Sequence, residues 1–176
     1  MEQSVKVRIS MARQLWLLRH AEAEPHGTRF DAERRLTARG EGQARTVGIA
    51  LARLQVGFDA VLFSPKARAR QTAELAAAQW SEEQRGRLSV HLPLAGGFDA
   101  RQALAELVGL AADGRLLLVG HEPDLSSVVG DLTGARPDLK KGGLAVVRLD
   151  GAGGELAVLM RPHELALIAG VPAEGD

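Results

Sequence analysis

A chain of 176 residues is long enough for one domain with a substantial core. Its 22 Lys and Arg balance 22 Asp and Glu, so no overall field favours nucleic acid or an anionic membrane, and any affinity for anions must be local. Cysteine is absent, which excludes disulfides, thiolate nucleophiles and thiolate metal sites and leaves a cytoplasmic location unopposed.

The first segment, "MEQSVKVRISMARQ", lacks the long apolar run of a signal peptide, and no later stretch is apolar enough to span a bilayer. Residues 1–12 are expected to form a flexible extension, with Met11 an alternative translation start, although the alternation in "VKVRI" also suits an edge strand. Residues 13–176 are expected to form a single domain. Short apolar runs predict strands at "QLWLL" (14–18), "AVLF" (60–63), "LSVHL" (88–92) and "LLLV" (116–119), and such uninterrupted runs suit a sheet covered on both faces. Between them, helical spacing joins Ala44, Val47, Leu51 and Leu54, and likewise Ala100, Ala103, Leu104, Leu107 and Val108. Thr37 is expected to cap the first helix, Ser64 with Pro65 to open the second, and Pro123 to start a helix that Gly134 closes. "LAVVRL" and "ELAVLM" flank "DGAGG" as an antiparallel hairpin, and a last helix is expected from Pro162. The alternation of strand and helix predicts a three-layer α/β/α sandwich with a mostly parallel central sheet.

In such a sheet, ligands bind outside the carboxyl ends of the strands, where helix N-termini face the same crevice. The first strand ends at Arg19 and His20. The second ends in Ser64, with Arg68 one helical turn later, and the fourth delivers His121 in "VGHEPD". Taken singly, these are ordinary residues: a surface Arg-His pair, a solvated helix face at Lys66, Arg68 and Arg70, a capping histidine. Together at one end of a sheet they supply bidentate donors, positive charge and an imidazole able to attack phosphorus. His26, His91 and His163 have no paired metal-ligand spacing and read as structural or exposed.

Several segments resemble the histidine phosphatase superfamily, the phosphoglycerate mutase-like fold, and within it the SixA branch of phosphohistidine phosphatases. "LLRHAEAE" resembles the Arg-His-Gly signature with Ala21 in place of glycine, where a Cβ could narrow the approach to phosphate. "LTARGEGQA" (36–44), "SPKARARQTAE" (64–74) and "VGHEPDLS" (119–126) are similar to the later motifs in the same order, Gln71 and Thr72 included, and "LKKGGLAVVRL" is similar to the SixA-like tail. The resemblance implies that His20 attacks phosphorus, that Arg19 and Arg68 hold the non-bridging oxygens with Ser64 close by, that His121 donates to the same group, and that no metal or other cofactor is needed. The region after the third predicted strand, "HLPLAGGFDA", offers no carboxylate before Asp99 for the acid of the larger mutases. The resemblance instead points to Asp31, in "TRFDAERRLT", as the acid; Glu33, Glu22 and Glu24 are the alternatives, and a plain loop residue is the simplest reading.

A short chain without room for a lid favours a phosphohistidine on another protein as substrate, with a small phosphate ester second. A phosphate-binding module without turnover is the alternative from another class, disfavoured because binding alone needs no nucleophilic histidine. Arg34 and Arg35 beside Asp31, with Lys66 and Arg70, could form a rim for an acidic partner or be solvated charges only, and Lys140 and Lys141 are expected to flank the hairpin. Neither a nucleic acid nor a membrane is expected as partner, and a monomer is plausible.

Overall fold

The computed structural model describes residues 12–151 and 153–172. All of the expected N-terminal extension except Ala12, including the candidate strand in "VKVRI", lies outside them. Among the described residues, six strands form one sheet: β1 (Arg13–Arg19), β2 (Ala60–Phe63), β3 (Leu88–Val90), β4 (Arg115–Gly120), β5 (Leu144–Leu149) and β6 (Gly154–Met160). The spatial order is β3-β2-β4-β1-β5-β6. The first four pair in parallel, while β5 and β6 add the antiparallel hairpin at one edge.

Central strands with no polar alternation must be covered twice, and they are. On one face Trp16, Leu18, Leu117 and Val119 pack against α1 (Ala38–Arg53), α2 (Ala67–Ala77) and α6 (Pro162–Ala169). On the other, Leu15, Leu17, Leu116 and Leu118 meet α4 (Ala100–Val108) and α5 (Asp124–Thr133). This is the expected α/β/α sandwich. Thr37 caps α1 by accepting from the Gly40 N–H at 3.0 Å, and Gly134 ends α5 in the left-handed conformation at φ 73°.

Local chemistry overrides the expectation in four places. α2 begins at Ala67 after Lys66, with no side-chain cap, so Ser64 does not open it. The third strand stops at Val90, because Pro93, without an N–H, sits in a 3-10 turn over Leu92–Ala95. A short α3 (Glu82–Arg85), capped by Ser81, was not anticipated. The apolar stripe of α4 is only half used: Ala103 and Leu107 are buried, whereas Val108 is 67% exposed. Among the described residues, no helix is long and apolar enough to cross a membrane.

Candidate active site

Parallel register brings the site together. Arg19 pairs with Gly120 and Phe63 with Val119, so His20, Ser64 and His121 all leave the sheet at its carboxyl end. The His20 N–H donates to the Gly120 carbonyl and the Ser64 N–H to that of Val119, both at 3.0 Å. His20 and His121 then stand with ring centroids 5.2 Å apart. Arg68 reaches them from the first turn of α2, and Arg19, His20, Arg68 and His121 line one crevice of about 220 Å³.

The hydrogen bonds select a tautomer for His20. Its Nδ1 lies 2.7 Å from the Ala21 carbonyl, which only accepts, so Nδ1 carries the proton and Nε2 keeps its lone pair. Arg68 Nε donates to that Nε2 at 3.3 Å. Burial pushes the His20 pKa down to about 3; the bond to the Ala21 carbonyl opposes the shift and the charges of Arg68 and Arg19 add to it, so the ring is neutral. His121 is likewise lowered to about 3, chiefly by burial and then by Arg68 and Lys66. Its Nε2 lies 2.7 Å from Ser64 Oγ, which also accepts from the Lys66 N–H at 3.3 Å. That network lets the Ser64 hydroxyl donate to Nε2 and leaves Nδ1 to hold the proton. Among the described residues, Nδ1 of His121 and Nε of Arg19 are buried without a hydrogen-bond partner, while Arg19 Nη1 donates to the Leu139 carbonyl at 2.9 Å. Unpaired buried donors are costly, and an oxyanion in the crevice would satisfy them.

Asp31 is brought to this group, but its carboxylate is already occupied. Oδ1 accepts from Arg34 Nη2 at 2.8 Å, and Oδ2 from Lys66 Nζ at 3.0 Å and Arg68 Nη2 at 3.3 Å. The Asp31 carbonyl also takes Arg68 Nη1 at 2.7 Å. These bonds, that of Arg34 foremost, hold the carboxyl well below the usual carboxylate range, which opposes its expected service as a proton donor. The alternatives fare no better. Glu24 is bound by the Arg35 N–H and by Arg29, Glu22 turns to Thr37 and Arg39, and Glu33 is exposed away from the crevice lining.

Several other placements differ from the expectation. Ser64 is fully buried behind His121 and does not line the crevice. The Ala21 side chain joins Ala23, Leu36 and Ala44 in a small apolar cluster, so its Cβ does not narrow the crevice. Arg34, read as part of a rim for an acidic partner or as a solvated charge, is 7% exposed and lines the crevice. Lys141 lines it as well, whereas Lys140 pairs with Asp138 at 2.9 Å. His26 is exposed at the crevice mouth, and His91 stacks edge-on against Phe98. Among the described residues, no group of three or more His, Asp or Glu is placed to hold a metal ion.

The polar motif residues are clamps. Thr72 Oγ1 accepts from the Ala21 N–H at 3.1 Å, Gln71 Oε1 from the Leu36 N–H at 2.9 Å, and Gln43 Oε1 from the Glu22 N–H at 3.0 Å. Thr72 and Gln43 fix the backbone that leaves β1, and Gln71 fixes Leu36, which bridges to it at Ala23. Sequence reasoning missed Glu122, which lines the crevice beside His121; adjacency in "GHEPD" was the available signal.

A family model, histidine phosphatase superfamily (branch 1), matches residues 15–88. An uncharacterized protein of Picosynechococcus sp. (strain ATCC 27264 / PCC 7002 / PR-6) is 33% identical over 146 residues, 77% of this chain and 84% of that protein. A structure assigned to phosphohistidine phosphatase SixA from Nakamurella multipartitia superposes with a TM-score of 0.68 at 29% identity, over 86% of this chain and 96% of the other. One assigned to an alpha-ribazole-5'-P phosphatase from Escherichia coli superposes with a TM-score of 0.70 at 21% identity, over 86% and 98%; at that identity the likeness is one of fold.

Proposed function

Because the chain belongs to the histidine phosphatase superfamily and is a phosphatase, we propose that it works without a metal, through a phosphohistidine on His20, and that its substrate is phosphohistidine on another protein. The observation that carries the first part is the His20 ring itself: Nδ1 tied to a carbonyl, Nε2 left with its lone pair, and Arg68 donating to it.

Each group then has a task. Nε2 of His20 attacks phosphorus as the bond to the leaving group breaks. Arg68 moves its Nε donor from Nε2 to a non-bridging oxygen, and Arg19 Nε and His121 Nδ1 supply the two donors that lack partners among the described residues. Fixed donors of this kind stabilise the charge that a metal handles in other phosphoryl transferases. Ser64 sets the orientation of His121, and Asp31 sets that of Arg68.

The protein substrate is supported by the open rim, residues 25–33 being exposed throughout, and by the likeness to a structure assigned to SixA. A phosphorylated side chain can be presented to such a crevice without enclosure. Transfer from one imidazole to another also exchanges like bonds, so it depends little on a strong acid. A small phosphate ester is the second reading, since the donors in the crevice address the phosphoryl group and not what carries it.

The test compares turnover in EDTA of a phosphohistidine phosphotransfer domain with that of a panel of sugar and glycerate phosphates, with His20→Ala as the inactive control. Faster release from phosphohistidine is expected. A preference for a small ester would replace the first reading with the second, and full activity of His20→Ala would remove the nucleophile.

A further inference from the structure

A covalent phosphohistidine is only half of a phosphatase, because water must then attack the same phosphorus and give up a proton. We propose that Glu122 is the general base for that second step. The inference rests on the His20 intermediate above but not on the identity of the substrate, since the phosphoenzyme is the same for all of them.

The other groups in the crevice are less suited to take the proton, and His26 stands out at the exposed mouth, its Nδ1 3.9 Å from Asp31 Oδ1. Arginines are permanently charged, and His121 already has its Nε2 against Ser64. Asp31 is shared by Arg34, Lys66 and Arg68, and Glu24 by Arg29 and the Arg35 N–H. Glu122 differs from both. It follows His121 directly at the end of β4 and lines the crevice with His20 and Arg68. Among the described residues it makes no ion pair, and its single hydrogen bond runs from the Ser126 N–H of α5 to Oε1 at 3.2 Å. That bond fixes the carboxylate while leaving Oε2 free to accept from water.

The step balances simply. The water oxygen bonds to phosphorus, the bond from phosphorus to Nε2 breaks, and its electron pair returns to Nε2 of His20. The water proton passes to the Glu122 carboxylate, which later releases it to solvent. Arg19 and Arg68 hold the same oxygens as in the first step.

Glu122→Gln is the informative variant, since the amide oxygen still accepts from Ser126 and the α5 contact is kept. Rapid-quench with radiolabelled p-nitrophenyl phosphate, whose leaving group needs no acid, separates the formation of acid-labile phospho-His20 from its decay. Decay is expected to slow by about 100-fold or more while formation stays within about 2-fold, giving a burst of nitrophenolate followed by a slow steady state. Glu122→Asp, which keeps the carboxylate, should recover part of the decay rate, and a thermal melt checks that both variants fold. Decay at the wild-type rate in Glu122→Gln would overturn the proposal, as would equal slowing of both steps, which is the mark of a merely structural role. If the wild-type protein forms no phospho-His20 at all, the intermediate itself falls and this proposal with it, a result distinct from normal formation with unchanged decay.

Discussion

Three cationic side chains meet one carboxylate beside the crevice, and their meeting decides what Asp31 can do. A carboxylate that accepts from Arg34, Lys66 and Arg68 is stabilised in its charged form, so it orients those cations more readily than it releases a proton. Asp31→Asn removes the charge and keeps the shape. We expect it to lower kcat/KM by roughly 10-fold for alkyl phosphates and activated aryl phosphates alike, because what is lost is the placement of Arg68. A loss confined to alkyl phosphates, whose leaving groups need a proton, would return the acid role to Asp31. Asp31 and Arg34 are three residues apart in the sequence, but that Arg34 is buried, and that Lys66 and Arg68 reach the same carboxylate from another element, depends on how the segment before α1 folds over α2.

The placement of Arg68 is in turn a matter of how two helices cross. A Cβ on Gly48 would collide with the Ala76 backbone, so α1 and α2 pack backbone to backbone there. The Trp80 indole N–H donates to the Gly48 carbonyl at 3.1 Å beside the crossing. Gly48→Ala should push the helices apart and destabilise the fold by about 1–3 kcal/mol, read from the midpoint of urea unfolding. No change in the midpoint would mean that the crossing relaxes freely. The strands and most helices of this architecture were legible because burial on both faces leaves a continuous apolar run, and because Thr37 and Gly134 are strong end signals. α3 was not, since four residues carry too little periodicity to register. Ser64 was misread as a helix opener because a Ser before Pro has the chemistry of a cap wherever it stands; only the neighbouring strand showed that its hydroxyl serves His121.

For the molecule as a whole, two buried neutral histidines make stability depend on pH. The pKa of each lies near 3 in the folded state against 6.5 for an imidazole in water. Between those values the unfolded chain binds protons that the folded chain does not, so the contribution is complete above pH 6.5 and is lost as the pH falls towards 3. Going from pH 7.5 to 5 should cost roughly 2 kcal/mol per histidine. His20→Asn should remove about half of that dependence, measured by urea unfolding at the two pH values. An unchanged slope would show that His20 titrates normally in the fold.

The sequence by itself determined the α/β order and the family resemblance and singled out Arg19, His20, Arg68 and His121, which the fold brings to one crevice, because apolar runs, caps and motif spacing are local properties of the chain. Tertiary structure decided what those residues do to one another. The tautomer of His20 is set by the Ala21 carbonyl, the orientation of His121 by Ser64, and the charge state of Asp31 by three cations drawn from two segments. The same holds for Glu122, marked by sharing the crevice without a cationic partner among the described residues. Hydrogen bonds and Coulomb interactions act over a few ångströms, and only the folded chain brings groups from distant segments within that range.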